Sequence, residues 1–384
     1  MAKILVSGAI ANKPASGGEA WVRMSWVLGL GRLGHEVCFV EQIESADCVD
    51  AHGRRTAFED SVNRRTFESV LASLAPGRPA ALLCDGGRTG VGWGFDEIAE
   101  WARGADLLVN VSGHLDLEPI KAGPRRRAYI DVDPGFTQIW AADDGGGARL
   151  EGHDTYFTVG ENIGTPPCAI PTGGLDWLPL PPPVTLADWQ VAPAPAEGRF
   201  TTVATWRSPL GALALEGAEF EGKHHQWRRL VDLPQHSSQQ FEIALQIHPG
   251  DDADRASLEA GGWRLADPVE AAGTPQAFRS YVQASAAEFS VAHPVYVETV
   301  SGWVSDRTVR YLACGRPALV QDTGIGDRYR VGEGLLTFRT LDEAVAGAEA
   351  ITGDYEAHSK AARALAESCF DSDLVLRRFL EAAL

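Results

Sequence analysis

Two carboxylates, Glu298 and Asp306, stand eight positions apart in Glu298-Thr-Val-Ser-Gly-Trp-Val-Ser-Asp306, with Gly302 between them. Ionised carboxylates only accept hydrogen bonds, so such a pair suits a ligand rich in hydroxyls. The run continues into an amphipathic stretch, Asp306 to Cys314, which Gly315 and Pro317 close. Ser305 is a good N-cap, Val309, Leu312 and Ala313 share one apolar face, and Gly315 suits the position just past a helix end. The pattern predicts a helix whose first amides, around Gly302 to Asp306, point outward, where an anionic phosphate is favoured. A phosphate cradle between two hydroxyl acceptors is what a sugar nucleotide requires.

Other residues could join that chemistry. Arg207 follows the apolar segment Phe200 to Thr205, and Lys223 opens a helical pattern at Gly222-Lys223. Two such cations would neutralise a diphosphate and stabilise its departure. His114 lies just past the strand-like Leu107 to Val111, at an edge where functional side chains collect. Gly17-Gly18 precedes the first helical pattern, where glycine permits positive φ and close approach of the backbone to a ligand. A plain tight turn explains the same pair.

Asp131-Val-Asp133 resembles the metal-binding pair of single-domain nucleotide-sugar transferases, in which a divalent ion bridges carboxylates and diphosphate. The same residues can cap the turn at Pro134-Gly135. Two domains do not suit the single-domain alternative, and no metal is assigned. Gly29-Leu-Gly31-Arg-Leu-Gly34 matches the dinucleotide fingerprint but ends a helix and precedes a strand, so no nicotinamide cofactor is expected. His224-His225 fall in a charged helical stretch and read as solvated, while His248 ends a strand.

These residues need elements to hold them. At 384 residues the chain is long enough for two domains of about 150 to 200 residues each. Apolar strands recur at Lys3 to Ser7, His35 to Glu41, Ala80 to Cys84, Leu107 to Val111 and Ala128 to Val132. Helical patterns lie between them, at Glu19 to Arg32, 56–75 and 93–103. A second series begins at Phe200 and continues through Phe241 to Ile247, Phe289 to Val297 and Ala318 to Gln321, with helices at Glu343 to Ile351 and Tyr355 to Cys369. Strands alternating with helices predict α/β architecture with parallel sheets covered on both faces. Pro179, Pro181, Pro182, Pro183, Pro193 and Pro195 mark an interdomain linker. The expected division is 1–178, a linker at 179–199, and 200–384. Ligands of such sheets bind beyond the carboxyl ends of the strands, which places the site in the cleft.

The composition is that of a globular protein, with 45% hydrophobic and 22% charged residues. A formal net charge of −18 argues against a nucleic-acid partner and against anionic lipid. The cysteines at 38, 48, 84, 168, 314 and 369 form no metal spacing, and several, such as Cys38 and Cys84 in apolar runs, read as buried free thiols. Neither a leader nor an apolar run of about 18 residues is found. A cytoplasmic protein is expected.

Taken together, these residues resemble the GT-B glycosyltransferases, in particular the retaining group that includes glycogen and sucrose synthases. Glu298-x7-Asp306 resembles their Glu-x7-Glu. Arg207 and Lys223 stand, like their Arg and Lys, after the first strand of the second domain. Tyr311-Leu-Ala-Cys-Gly-Arg-Pro-Ala-Leu-Val-Gln is similar to their Glu-Ala-Met-Ala-x-Gly-x-Pro-Val-Ile, and Gly17-Gly18 to their glycine-rich loop. The likeness covers about residues 200 to 370 and is thin from 40 to 180.

The resemblance implies two Rossmann-like, doubly wound domains facing a cleft. It implies transfer of a sugar from a nucleotide diphosphate sugar, with Glu298 and His114 on the sugar and Asp306 on the ribose. Arg207, Lys223 and Gly302 would hold the diphosphate, and no cofactor is required. With retention no enzyme base is needed; with inversion His114 or Asp133 is the base. The amino-terminal half should choose the acceptor, with Trp21, Trp93 and Trp140 available to stack on it. The expected partners are the donor and a soluble small-molecule acceptor, as in natural-product biosynthesis, and a homodimer is allowed. A nucleotide-sugar epimerase and a non-catalytic sugar-nucleotide binder are the alternatives.

Overall fold

A computed structural model describes residues 1–142, 148–195, 198–207, 211–215 and 217–384. The first sheet contains β1 (Lys3–Ser7), β2 (Glu36–Ile43), β3 (Ala80–Cys84), β4 (Thr89–Gly92), β5 (Leu107–Val111), β6 (Arg126–Asp131), β7 (Thr155–Thr158) and β8 (Trp177–Pro179). Their spatial order is β4-β3-β2-β1-β5-β6-β7-β8. The ladders are parallel except for the antiparallel edge pair β3–β4. The second half opens with β9 (Phe200–Thr205), then a hairpin of β10 (Leu213–Leu215) and β11 (Ala218–Phe220). It continues with β12 (Phe241–Gln246), β13 (Arg264–Ala266), β14 (Ala287–Ser290), β15 (Ala318–Gln321) and β16 (Leu335–Phe338). These form a parallel sheet of order β13-β12-β9-β14-β15-β16.

Central strands of both sheets are covered on both faces, which is why they read as unbroken apolar runs. All five residues of β5 and all four of β15 are buried. Strand order reverses between β1 and β5 in one sheet and between β9 and β14 in the other. At such a switch point the loops leave in opposite directions and open a crevice. Side chains from both halves line one cleft.

Local signals were read differently by the tertiary structure in several places. The apolar segment 289–297 is divided: β14 stops at Ser290, and Pro294 starts the short helix Pro294–Glu298, as proline in a first helical turn should. The helix Gly17–Arg32 buries residues around nearly its whole circumference, among them Trp21, Arg23, Met24, Trp26 and Leu30. It lies against the first sheet, the helix Pro275–Ala284 of the second half and the terminal helix Ser372–Ala383. Gly29 lets that terminal helix approach; a Cβ there would stand 2.5 Å from Leu376 Cδ1.

The terminal helix departs from the expected division at 200–384. Val375, Leu376, Phe379, Leu380 and Ala383 join the core of the first sheet. Phe379 meets Trp26 and Phe157 with ring centroids at 4.9 and 4.8 Å. The segment after β8 is not a free linker either. Val184 pairs with Phe370 and Ser372 through backbone hydrogen bonds, and Trp189 is fully buried against Trp21 and Phe278. The prolines deny it regular structure, and its apolar side chains pack into both halves.

Candidate functional site

The cleft is built from strand ends and helix tips. From the second half, the helix Asp306–Ala313 points its first residues into it. Ser305 caps that helix, its hydroxyl accepting from the Arg307 amide at 3.2 Å. Arg307 donates to Glu288 at 2.7 Å, to the Ser290 hydroxyl at 2.6 Å and to the Val203 carbonyl at 3.0 Å. These bonds fix its guanidinium at the ends of β9 and β14. Lys223, at the start of the helix Lys223–Arg228, lines the same wall. Burial, then Arg307, lowers its pKa to about 7, with Glu288 opposing. His293 stands beside it; burial and then Lys223 lower its pKa to about 3, so its imidazole is neutral. Asp306 pairs with the buried Arg310 at 2.9 Å, and burial raises the Asp306 pKa although Arg310 opposes.

The opposing wall comes from the first helix and β6. Glu19 contacts both Lys13 and Arg23. Burial opposes its ionisation, but the two cations prevail and hold its pKa at about 2. Asp133 follows β6 and reaches a pKa of about 6, raised first by burial and then by Glu19 and Asp131, against Lys13 and Arg23. Its neighbour Asp131 is a structural hub. The Asp131 oxygens accept from Thr137 (2.7 Å), Gln138 (2.9 Å), Thr158 (2.7 Å) and the Asp133 amide (3.0 Å). Among the described residues no cluster of metal-ligating side chains occurs.

Three contiguous chambers make up the cleft. A central one of about 210 Å³ lies between Glu19, Arg23 and Asp133 on one side and Lys223, His293 and Arg307 on the other. Tyr296 and Trp303, with ring centroids 4.7 Å apart, close its end. A second, about 270 Å³, lies beside β9 and shares Glu19, Asp306 and Arg307 with the central one. A third, about 370 Å³, lies beside β2 and contains Lys13, His114, Trp140 and Arg149. It shares Arg23 and Asp133 with the central chamber. Burial, then Arg23 and Lys13, lower the His114 pKa to about 3. Chambers of this total size accommodate a substituted nucleotide.

The structure brings His114, Asp133, Lys223, Asp306 and Gly18 to the cleft and leaves four expected residues out of it. Glu298 is exposed and lines a separate depression with Arg229, Asp322 and Arg339. Tyr296 of the same short helix faces the cleft, and two residues on is roughly 200° around a helix. Arg207 is more than half exposed, its guanidinium held by Asp251 at 2.6–2.9 Å. The Gly302 amide donates to the Thr323 carbonyl at 2.7 Å. With φ 71°, this buried glycine packs on Asn162, so it seals the seam between the halves. Gly17 has no positive φ; a Cβ there would lie 2.1 Å from the Thr274 carbonyl oxygen, another seam contact.

The Glu-x7-Glu reading fails for a reason visible in the spacing. Set against Glu-Ala-Met-Ala-x-Gly-x-Pro, Gly315 and Pro317 put Arg310, not Asp306, at the leading glutamate. Trp21 is buried, its indole donating to the Pro275 carbonyl at 2.9 Å. Trp93 lies in a surface groove with Lys3 and Trp101, away from the cleft, and only Trp140 of the three lines it. His224 is buried against Trp206 rather than solvated. His248 caps the turn at Gly250.

Among the cleft residues that the sequence reading missed are Arg307, Arg23, Glu19 and His293, with Lys13, Arg149, Tyr296 and Trp303 beside them. Arg307 carried a signal, since a cation in the first turn of a helix opposes the dipole and calls for another reason to be there. Glu19 and Arg23 are an i,i+4 pair, which on a helix surface would be ordinary. Nothing local marked them as facing a cleft.

No family model and no curated protein matches the sequence. Solved structures do. An alpha-glucosyltransferase in complex with UDP and a 13-mer DNA superposes with a TM-score of 0.61 at 10% identity, covering 100% of both chains. HepE of Anabaena, in complex with UDP and glucose, gives 0.58 at 12% identity, covering 100% of this chain and 99% of that one. AviGT4, a glycosyltransferase involved in avilamycin A biosynthesis, gives 0.57 at 15%, covering 100% and 97%. The DNA complexes correct an earlier expectation. Proteins of this fold are found with DNA bound, so neither the exclusion of nucleic acid on net charge nor the restriction to a small-molecule acceptor stands. Among the described residues no helix is long and apolar enough to cross a membrane. The chain has the GT-B fold of these glycosyltransferases, two Rossmann-like halves facing one cleft.

Proposed function

We propose that the protein transfers a glycosyl group from a nucleoside diphosphate sugar to an acceptor hydroxyl. One observation carries this reading: Lys223, Arg307 and the tip of the helix Asp306–Ala313 converge on one wall of a cleft whose other wall presents Asp133. Two cations and a helix N-terminus are what a leaving diphosphate needs. In this reading the nucleoside occupies the β9 chamber, where Asp306 can accept from the ribose. The sugar lies in the central chamber and the acceptor in the β2 chamber. The bond from the anomeric carbon to the diphosphate oxygen breaks, and the diphosphate leaves with the electron pair. The acceptor oxygen bonds to that carbon, and its proton passes to Asp133, which is ionised above a pKa of about 6.

No cofactor enters the reaction. A cytoplasmic setting is part of the proposal, supported by six free cysteines. UDP is the first nucleotide to test, because the structural neighbours hold it. Lys223→Gln and Arg307→Gln should each weaken UDP binding by roughly tenfold or more, read by calorimetry. Unchanged binding in both variants refutes the diphosphate site. Turnover of UDP-glucose is then assayed with polyol, nucleic-acid and aromatic acceptors. Isomerised sugar without acceptor would indicate an epimerase, and binding without turnover a non-catalytic protein.

A further inference from the structure

Two histidine–proline steps in the second half behave differently. His248-Pro249 and His293-Pro294 each open a helical turn, with the histidine at the N-cap in extended backbone and the proline first inside. An N-cap side chain ordinarily accepts from an amide of the turn it precedes. His248 does so, its Nδ1 accepting from the Gly250 amide at 2.9 Å. The His293 ring does not cap its turn, and it makes no hydrogen bond among the described residues. It is only partly buried and lines the central chamber instead.

Packing holds the ring in that position. Phe136 of the first half and Tyr296 meet it edge to face, with centroids at 5.3 and 5.4 Å. The Ala292 amide just before it donates to Gln321 Oε1 at 3.1 Å. The turn after β6 can approach the short helix because residue 135 is glycine: its φ is 86°, and a Cβ there would stand 2.9 Å from Val295 Cγ2. His293 therefore shares the central chamber with Lys223, Arg307 and, on the opposing wall, Asp133. Burial and then Lys223 keep its imidazole neutral, so it offers one donor and one acceptor rather than a charge.

We infer that His293 selects the transferred sugar, a ring nitrogen hydrogen-bonding one of its hydroxyls while Lys223 and Arg307 hold the diphosphate. Phosphate oxygens only accept, and the two cations and the helix tip already serve them. A hydroxyl both donates and accepts, so it can pair with either ring nitrogen in either tautomer. The inference rests on the proposed sugar transfer and adds a determinant of donor choice. A site built to bond a hydroxyl disfavours a sugar that lacks or misplaces it, because the imidazole is then left unpaired.

Calorimetry on wild type, His293→Ala, His293→Asn and His293→Gln tests it. The probes are UDP, UDP-glucose, UDP-galactose, UDP-xylose and UDP-N-acetylglucosamine, and the quantity read is each sugar nucleotide's affinity relative to UDP on the same protein. In His293→Ala this ratio should fall roughly fivefold or more for the sugar that wild type binds best. UDP affinity itself should not change, which also shows that the variant is folded. Asparagine sets an amide near the Nδ1 position and glutamine near Nε2, so one of the two should restore the ratio. Ratios unchanged for every sugar in His293→Ala overturn the inference. Equal loss of UDP and sugar-nucleotide affinity also overturns it, because His293 would then serve the diphosphate. A ratio that stays low in both amide variants overturns it as well, since the ring would act by packing alone. Failure of wild type to bind UDP removes the donor reading and this inference with it, whereas UDP binding with unchanged ratios removes the inference alone.

Discussion

Lys223 shows how a cleft alters a single residue. Its ammonium is held at a pKa of about 7 by burial and by Arg307, so near neutral pH the side chain is partly neutral. A diphosphate favours the charged form, and binding above pH 7 must take up a proton. UDP affinity should therefore fall as pH rises from 7 to 9, by at most about tenfold per unit. Lys223→Gln should flatten that dependence. Calorimetry at pH 8 in buffers of different ionisation enthalpy reads the proton directly, and identical heats in all buffers would contradict the assignment. Asp133 acts in the other direction: transfer requires its ionised form, so the rate should drop as pH falls through about 6. Asp133→Asn should lose roughly 10²–10⁴ in turnover. Glu298→Ala, by contrast, should leave both turnover and UDP binding unaltered, because its carboxylate faces solvent on another surface.

Among the elements, the loop between β1 and the first helix depends on one buried side chain. Glu41 of β2 accepts from the amides of Ile10, Ala11 and Asn12 at 2.8, 2.9 and 2.8 Å. Asn63 adds a bond to the Ala11 carbonyl at 2.9 Å. The loop has no regular structure to satisfy its own amides, and this carboxylate does so while aiming Asn12 and Lys13 at the β2 chamber. Glu41→Ala orphans three amides at a cost of about 1–3 kcal/mol for each that stays buried. Denaturant unfolding should record the loss, and a change below 1 kcal/mol would mean that water replaces the carboxylate. The helix Asp306–Ala313 is the converse case: its cap, apolar face and closing glycine were all readable locally. What its tip faces was not, since Arg307 depends on Glu288 and Ser290 of a strand 17 to 19 residues earlier.

Across the whole molecule, the two halves are tied at a seam that also bounds the cleft. Asn162 donates to the Val300 and Gly324 carbonyls, both at 3.1 Å. Arg328 reaches Asn162 and the Glu161 carbonyl at 3.1 and 2.7 Å. Gly302 sits inside this contact, where a Cβ would lie 2.7 Å from Asn162 Cγ and 2.9 Å from its backbone nitrogen. Gly302→Ala should destabilise by about 1–3 kcal/mol, since a strained φ and a backbone neighbour leave little room to relax. A melting temperature equal to wild type would show the seam to be loose. The terminal helix, packed on the first sheet by Phe379 and Leu376, ties the halves a second time.

The sequence alone determined the alternation of strands and helices, the two parallel sheets and the general location of a cleft. These follow from apolar periodicity, caps and glycine or proline stops, all of which act within a few residues. It also marked Lys223, Asp306, His114 and Asp133, which stand at strand ends or helix starts and are carried to the cleft by topology alone. Which way a side chain turns from such an end was decided only by the fold. Two residues along a short helix separate Tyr296 in the cleft from Glu298 in solvent, and Asp251, 44 positions away, claims Arg207. Gly17 and Gly302 were needed for close packing rather than for a ligand, because both fall where the halves touch. Hydrogen bonds and steric contacts between distant segments set these outcomes, and no local pattern encodes them.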